Sequence, residues 1–107
     1  MAICRTTEAC QVEMIPGLHR RTLLTGKSMM MCECTFDSGV QVPTHSHPHE
    51  QVGYVVSGKI RITINGGSFD LGPGDSYCAL SDVPHSALTL EPTIVIDVFS
   101  PPREDYR

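Results

Sequence analysis

A chain of 107 residues with a net charge of −4 is long enough for one modest hydrophobic core and too short for two. Its acidic balance leaves no basic footprint for nucleic acid or an anionic membrane, and no apolar run approaches the length of a membrane span, so neither partner is expected. Five cysteines, an odd number at irregular spacing, argue against a disulfide framework and for a reducing compartment. Met1-Ala2-Ile3-Cys4-Arg5 runs into Thr and Glu without the apolar centre of a secretory signal, so a cytoplasmic location is the expectation.

Residues 1–21 are mixed in character, with Val12 to Ile15 as a candidate edge strand, Pro16-Gly17 as a turn and His19 as a surface residue. From Thr22 onward, short runs rich in Val, Ile, Thr, Tyr and Met are punctuated by Gly, Pro, Asn and Asp, an all-β rhythm. Ser28 to Phe36 reads as one strand, ended by Asp37-Ser38-Gly39. Cys32 and Cys34 share one face of it. With no second pair to complete a zinc ribbon they read as packed core thiols, as does Cys78.

The stretch His45-Ser46-His47-Pro48-His49-Glu50-Gln51 holds three of the chain's five histidines. In extended chain, successive side chains alternate faces, so His45 and His47 share a face with their imidazoles a ligand bite apart. Pro48 then interrupts the ladder, and Gln51 opens the next strand in register with both histidines. One distant ligand closes a metal site, and His85 is the well-placed candidate. The competing reading is a loop of surface polar residues, which the clustering and the distant fourth member disfavour. His49 belongs behind the ligands or at the rim, and Glu50 on the face opposite Gln51.

Gln51 to Val56 meets Lys59 to Asn65 through Ser57-Gly58. Strict alternation in the second of these points Ile60, Ile62 and Ile64 at a core and Lys59, Arg61, Thr63 and Asn65 at water. Asn65-Gly66-Gly67 is a strong hairpin turn, because its central residues must accept positive φ. Ser68 to Leu71 returns, Gly72-Pro73-Gly74-Asp75 turns again, and Ser76 to Ala79, Ser86 to Leu90 and Thr93 to Phe99 supply the last strands. In the final strand, alternation puts Asp97 and Phe99 on one face and Ile96 and Val98 on the other. If the first pair faces inward, an acid lies in a largely apolar cavity near a cation. Ser100-Pro101-Pro102 ends the strand and carries Arg103 toward the mouth. Nine or ten short strands in one small domain must close into a barrel or a two-sheet jelly roll to remove their edges.

Gly39, His45, His47, Gln51 and Gly58 stand at spacings that resemble the first motif of the cupins, with Gln51 where many cupins carry Glu. Gly74 and His85 resemble the anchors of the second motif, with Leu80 and Asp82 where the common pattern has Pro and Gly. Combined with His45 to Tyr54, the run Asp97-Val98-Phe99-Ser100-Pro101-Pro102-Arg103-Glu104-Asp105-Tyr106 makes the chain, from about Arg21 onward, similar to the KdgF-type cupins of pectin degradation. The resemblance implies an all-β, cupin-type jelly-roll β-barrel in a single domain over 1–107: an N-terminal edge segment at 1–21, the barrel at 22–99 and a tail at 100–107. It implies one divalent transition metal ion (Ni, Zn, Fe or Mn) on His45, His47, Gln51 and His85, a catalytic set of Asp97, Phe99 and Arg103, and a homodimer. The activity it implies is conversion of 4,5-unsaturated uronates, released by pectate or alginate lyases, to linear 4-deoxy-5-keto uronates.

These roles make chemical sense. Three neutral imidazoles and an amide leave a divalent charge uncompensated, which favours an anionic, carboxylate-bearing substrate, and four protein ligands leave a six-coordinate ion two open positions. Asp97 suits proton transfer, Arg103 can hold a carboxylate as a fork, and Phe99 can pack a sugar ring. Tyr77 or a metal-bound water would be next in line for the proton if Asp97 were structural. Singly, each residue has a plain reading as turn former, core or solvated tail; their joint occurrence beside a metal motif favours a site. The fold alone decides nothing, so a metal-dependent dioxygenase and a non-catalytic module binding small acids remain alternatives.

Overall fold

The computed structural model describes residues 3–107, with ten strands in chain order: β1 (Gln11–Ile15), β2 (Leu18–Thr25), β3 (Met30–Phe36), β4 (Gln41–His45), β5 (Glu50–Ser57), β6 (Ile60–Ile64), β7 (Gly67–Leu71), β8 (Ser76–Ala79), β9 (His85–Thr89) and β10 (Thr93–Ser100). They form two antiparallel sheets, one of six strands in the order β1-β2-β3-β10-β5-β8 and one of four in the order β4-β9-β6-β7. This is the two-sheet jelly roll expected of the strand rhythm. Single 3-10 turns at Thr6–Glu8 and Glu104–Tyr106 flank the sheets.

The sheets close on one another because each strand has one apolar face. Phe36, Val40, Val55, Ile60, Ile62 and Val95 are buried at the centre, and Met30, Cys32 and Phe99 form a second cluster at the end where Tyr106 packs. Ile60 and Ile62 are buried, Ile64 packs against them, and Arg61 is exposed, as the alternation requires. Cys32 and Cys34 are core thiols. Cys78 is not: Tyr77 and Ala79 take the inward positions of β8, so the residue between them is exposed.

Two local expectations need correction. Leu18–Thr25 is a full strand that crosses residue 21, where the edge segment was expected to give way to the barrel. Its alternation is masked by His19-Arg20-Arg21, in which Arg20 points inward and is buried. Second, β4 ends at His45, so His47 is not on a strand with it but in the link to β5.

The β6–β7 hairpin closes through Asn65 and Gly66, both at positive φ (49° and 86°), the geometry of a two-residue primed turn. Gly58 also has positive φ (91°), but a side chain there would run into the Pro92 carbonyl and Thr93. Gly66 faces open space. Gly66→Ala should therefore cost only left-handed strain, about 1–2 kcal/mol. Gly58→Ala should cost about 1–3 kcal/mol more through overpacking, as measured by urea unfolding. Equal losses would mean that the β5–β6 turn relaxes freely.

Candidate metal centre

Three imidazoles meet at one end of the barrel although they come from three segments. His45 ends β4, His85 begins β9 directly opposite it in register, and His47 arrives from the link between the sheets. The backbone fixes the ring each presents. His45 Nδ1 donates to the Pro43 carbonyl (2.9 Å), His47 Nδ1 to the His49 carbonyl (2.8 Å) and His85 Nδ1 to the Val83 carbonyl (2.9 Å). A carbonyl only accepts, so each Nδ1 carries the proton and each neutral ring keeps its lone pair on Nε2. The candidate ligand atoms of the three lie within 4.8 Å of one another. His85 Nε2 is buried and has no partner among the described residues. Burial lowers the proton affinity of both His47 and His85, which favours the uncharged, ligating form.

Gln51, buried at the start of β5, brings its amide oxygen to 3.2 Å from His47 Nε2. With Nδ1 protonated, both of these atoms are acceptors, and a cation among them removes the conflict. Its amide also favours the charged carboxylate of Asp97, as an N–H donor does. The donor set of three imidazole nitrogens and one amide oxygen therefore fits a divalent metal, and His45, His47, Gln51 and His85 are the residues that would hold it. Glu50 is exposed on the opposite face. His49 stands behind His47, their ring centres 5.7 Å apart, and supports it through its carbonyl.

The loop before His85 turns at Asp82, where the common second-motif pattern has glycine. Asp82 adopts φ 63°, a left-handed conformation that aspartate tolerates, and its N–H donates to the His47 carbonyl at 2.8 Å. That bond ties the loop before His85 to the segment carrying His47.

Beside the histidines, a cavity between the sheets opens to solvent. Asp97 and Phe99 both face it from β10 and both are buried. Asp97 Oδ1 accepts the Tyr77 hydroxyl at 2.6 Å and Oδ2 the Cys34 thiol at 3.7 Å. Burial raises the carboxyl's pKa against the opposing pull of Tyr77, Gln51 and Cys34. Arg103 also lines the space, its guanidinium 5.2 Å from the centre of the Phe99 ring and 3.9 Å from that of Tyr106. Its fork is held by Asp105 (3.1 Å), which is largely exposed.

Sequence reasoning missed Arg20 and Tyr106. Arg20 is buried, stacks 4.2 Å from the Tyr106 ring centre, and among the described residues its guanidinium hydrogen-bonds the Met14 sulfur. Thr22 fastens the tail through the Tyr106 carbonyl. The readable signal was an arginine two residues from Leu18 on one strand face, and an aromatic in an otherwise polar tail.

A small two-sheet barrel with a histidine-rich centre inside its mouth defines the class of small β-barrels with a candidate metal centre. Residues 32–99 match the family model described as Cupin domain. The chain is 32% identical over 96 residues to the pectin degradation protein KdgF of Dickeya dadantii (strain 3937), a match covering 88% of this chain and 87% of that protein. Among solved structures it resembles KdgF from Halomonas sp. at 33% identity and a TM-score of 0.95, covering 100% of this chain and 99% of the other. An RmlC-like cupin from Shewanella frigidimarina matches at 32% identity and a TM-score of 0.95, covering 100% and 96%. The chain belongs to the cupin family and, within it, to the group of the pectin degradation protein KdgF.

Removing one imidazole should dismantle the centre, because a packed barrel cannot easily recruit a replacement ligand. His47→Ala should lose most of the bound metal by elemental analysis, and full occupancy in that variant would remove His47 from the ligand set.

Proposed function

We propose that the protein opens 4,5-unsaturated uronates, the products of pectin or alginate lyases, to linear 4-deoxy-5-keto uronates. The observation that carries this reading is a buried carboxylate, Asp97, flanked by Phe99 and Arg103 in one solvent-open cavity beside the histidine centre. Membership of the KdgF group supports it.

The substrate is an enol ether whose double bond carries a carboxylate. Opening it requires a proton on the unsubstituted alkene carbon and the oxygen of water on the carbon bearing the carboxylate. The hemiketal so formed breaks its bond to the ring oxygen and leaves a ketone. The water is returned when the aldehyde hydrate at the other end dehydrates, so the net change is an isomerisation. Asp97 moves the proton, and its raised pKa keeps more of the carboxyl in the donating form than an exposed aspartate would. Arg103 offers the substrate carboxylate a fork in place of the exposed Asp105, an exchange made easy because a partly solvated ion pair is weak. Phe99 supplies a flat apolar wall for the ring. A divalent metal, when bound, supplies positive charge for the carboxylate and Lewis acidity at its neighbour.

A homodimer and a cytoplasmic setting belong to the same proposal. The odd cysteine count suits a reducing compartment. On the outer face of the six-stranded sheet, Met31, Val98, Val52 and Cys78 stand in one register row, with Ile96 and Tyr54 in the next. Val52 and Tyr54 are about half exposed, an apolar surface that a second copy would cover. Light scattering should give the mass of a dimer for the parent and of a monomer for Val52→Glu; a monomeric parent would end that part of the proposal.

The reading is tested by following the enol-ether absorbance after adding protein to lyase-generated unsaturated galacturonate. Loss of the band without oxygen and with a redox-inert metal supports ring opening over a dioxygenase, and binding without loss would make the protein a non-catalytic module. Asp97→Asn should slow turnover on the order of a hundredfold or more while metal and substrate remain bound. It should also raise the melting temperature of the metal-free protein, since it removes a charge that burial disfavours. Parent-rate turnover in that variant would assign the proton to another group.

A further inference from the structure

The hydroxyl of Tyr77 reaches Asp97 across an intervening strand. Tyr77 is on β8 and Asp97 on β10, with β5 between them. The three strands place Asp97, Gly53 and Tyr77 in one register row, Asp97 opposite Gly53 and Gly53 opposite Tyr77. Neighbouring strands stand about 4.8 Å apart, so the backbones of Tyr77 and Asp97 are separated by about twice that distance. A phenol spans such a gap only by lying flat over the middle strand. Gly53 makes this possible: a Cβ built there would fall within the Tyr77 ring and against its hydroxyl.

The glycine has no backbone reason to be one. Gly17, Gly39, Gly58, Gly66 and Gly74 have positive φ, and Gly53 does not. It sits inside an eight-residue strand, hydrogen-bonded on both sides, where glycine weakens a sheet by forgoing packing and increasing the entropy lost on folding. A cost of that kind at an interior position marks a close approach by another group, and the group here is the ring that delivers a hydroxyl to the carboxylate. Ring packing alone would be met by phenylalanine. The hydroxyl supplies a 2.6 Å bond to Oδ1, and the Cys34 thiol holds Oδ2 from the other side at 3.7 Å.

We propose that Gly53 and Tyr77 act as a positioning pair, the glycine seating the ring so that its hydroxyl fixes the Asp97 carboxylate in the orientation from which it moves the proton. The catalytic half of this inference rests on the uronate reading above; the seating half does not. A carboxyl free to rotate about its last torsion would spend most of its time misaligned with the alkene carbon, and misplacement on the ångström scale costs rate rather than binding.

The test combines Tyr77→Phe, which keeps the ring and removes the hydroxyl, with Gly53→Ala, which displaces the ring. Each should lower kcat on the order of tenfold to a hundredfold with KM and metal content unchanged, and the double variant should lose no more than the worse single one, since both remove the same bond. Parent-like kcat in Tyr77→Phe, or losses that multiply in the double variant, would overturn the pair while leaving the uronate reading intact. A parent that leaves the enol-ether band unchanged would overturn that reading and the positioning role together. The seat has its own readout: a slowly exchanging, downfield hydroxyl proton resonance should be present in the parent and absent from both single variants. Its persistence in Gly53→Ala would show that the ring does not need the glycine.

Discussion

The site depends on three hydrogen bonds that never touch a ligand. Each histidine of the centre gives its Nδ1 proton to a carbonyl two residues away in its own segment, and this leaves three Nε2 lone pairs converging, that of His85 with no partner among the described residues. Clustering of lone pairs without donors is unfavourable in the metal-free fold and becomes favourable only with a cation. The rest of the barrel sustains that arrangement: β4 and β9 hold His45 opposite His85, and the Asp82 amide fastens the two histidine-bearing loops together. Stability given up at the mouth is offset by the apolar layers beneath, where Val55, Ile60 and Val95 are fully buried.

The same division runs across the inner face of the six-stranded sheet. Reading along β10 from Thr93 to Phe99, the inward residues pass from satisfied polar, through apolar, to a carboxylate and an aromatic. Thr93 at the closed end binds the backbone of the β5–β6 turn, while Asp97 near the open end keeps lone pairs for something else. One strand therefore serves as core at one end and as site at the other, and period-two alternation lets it do both without a change of register.

What was legible in the sequence follows from which signals are local. The Ile60-Ile62-Ile64 alternation, the Asn65-Gly66 turn and the pairing of Asp97 with Phe99 are fixed by nearest neighbours, and each stands in the structure as read. The histidines were identified from their clustering, but the strand assigned to His47 was not needed: a link residue reaches the same point as a strand residue, and spacing alone does not distinguish them. β2 was lost because Arg20, a residue counted as polar, occupies an inward position that a pattern of apolar residues requires. The hydrogen bonds to Asp97 were invisible for another reason. Tyr77 and Cys34 are brought to it by strand order, which one sequence does not state, and Gly53 looks in isolation like any weak point in a strand.

Arg20 stacks on Tyr106 beside the cavity that Asp97 and Phe99 line, not within it. A protein with a net charge of −4 nevertheless buries a guanidinium on the inner face of its six-stranded sheet, with its Nε unpartnered among the described residues. Tyr106 lies against both Arg20 and Arg103, so one aromatic ring shares its face with two cations and joins them to the edge of Phe99. The ring supports both guanidiniums, Arg20 with the Met14 sulfur as its side-chain hydrogen-bond partner and Arg103 with the exposed Asp105. Arg103 has a largely exposed carboxylate partner in Asp105, while Asp97, which lines the same cavity, is already engaged by Tyr77 and Cys34. The cavity has one guanidinium, that of Arg103, on its tail-capped side, and its positive charge favours anions there whatever the overall charge of the surface. The field inside a low-dielectric cleft outweighs a screened net charge outside it, so the sign at the cavity is set by the groups that line it and not by the net charge of −4.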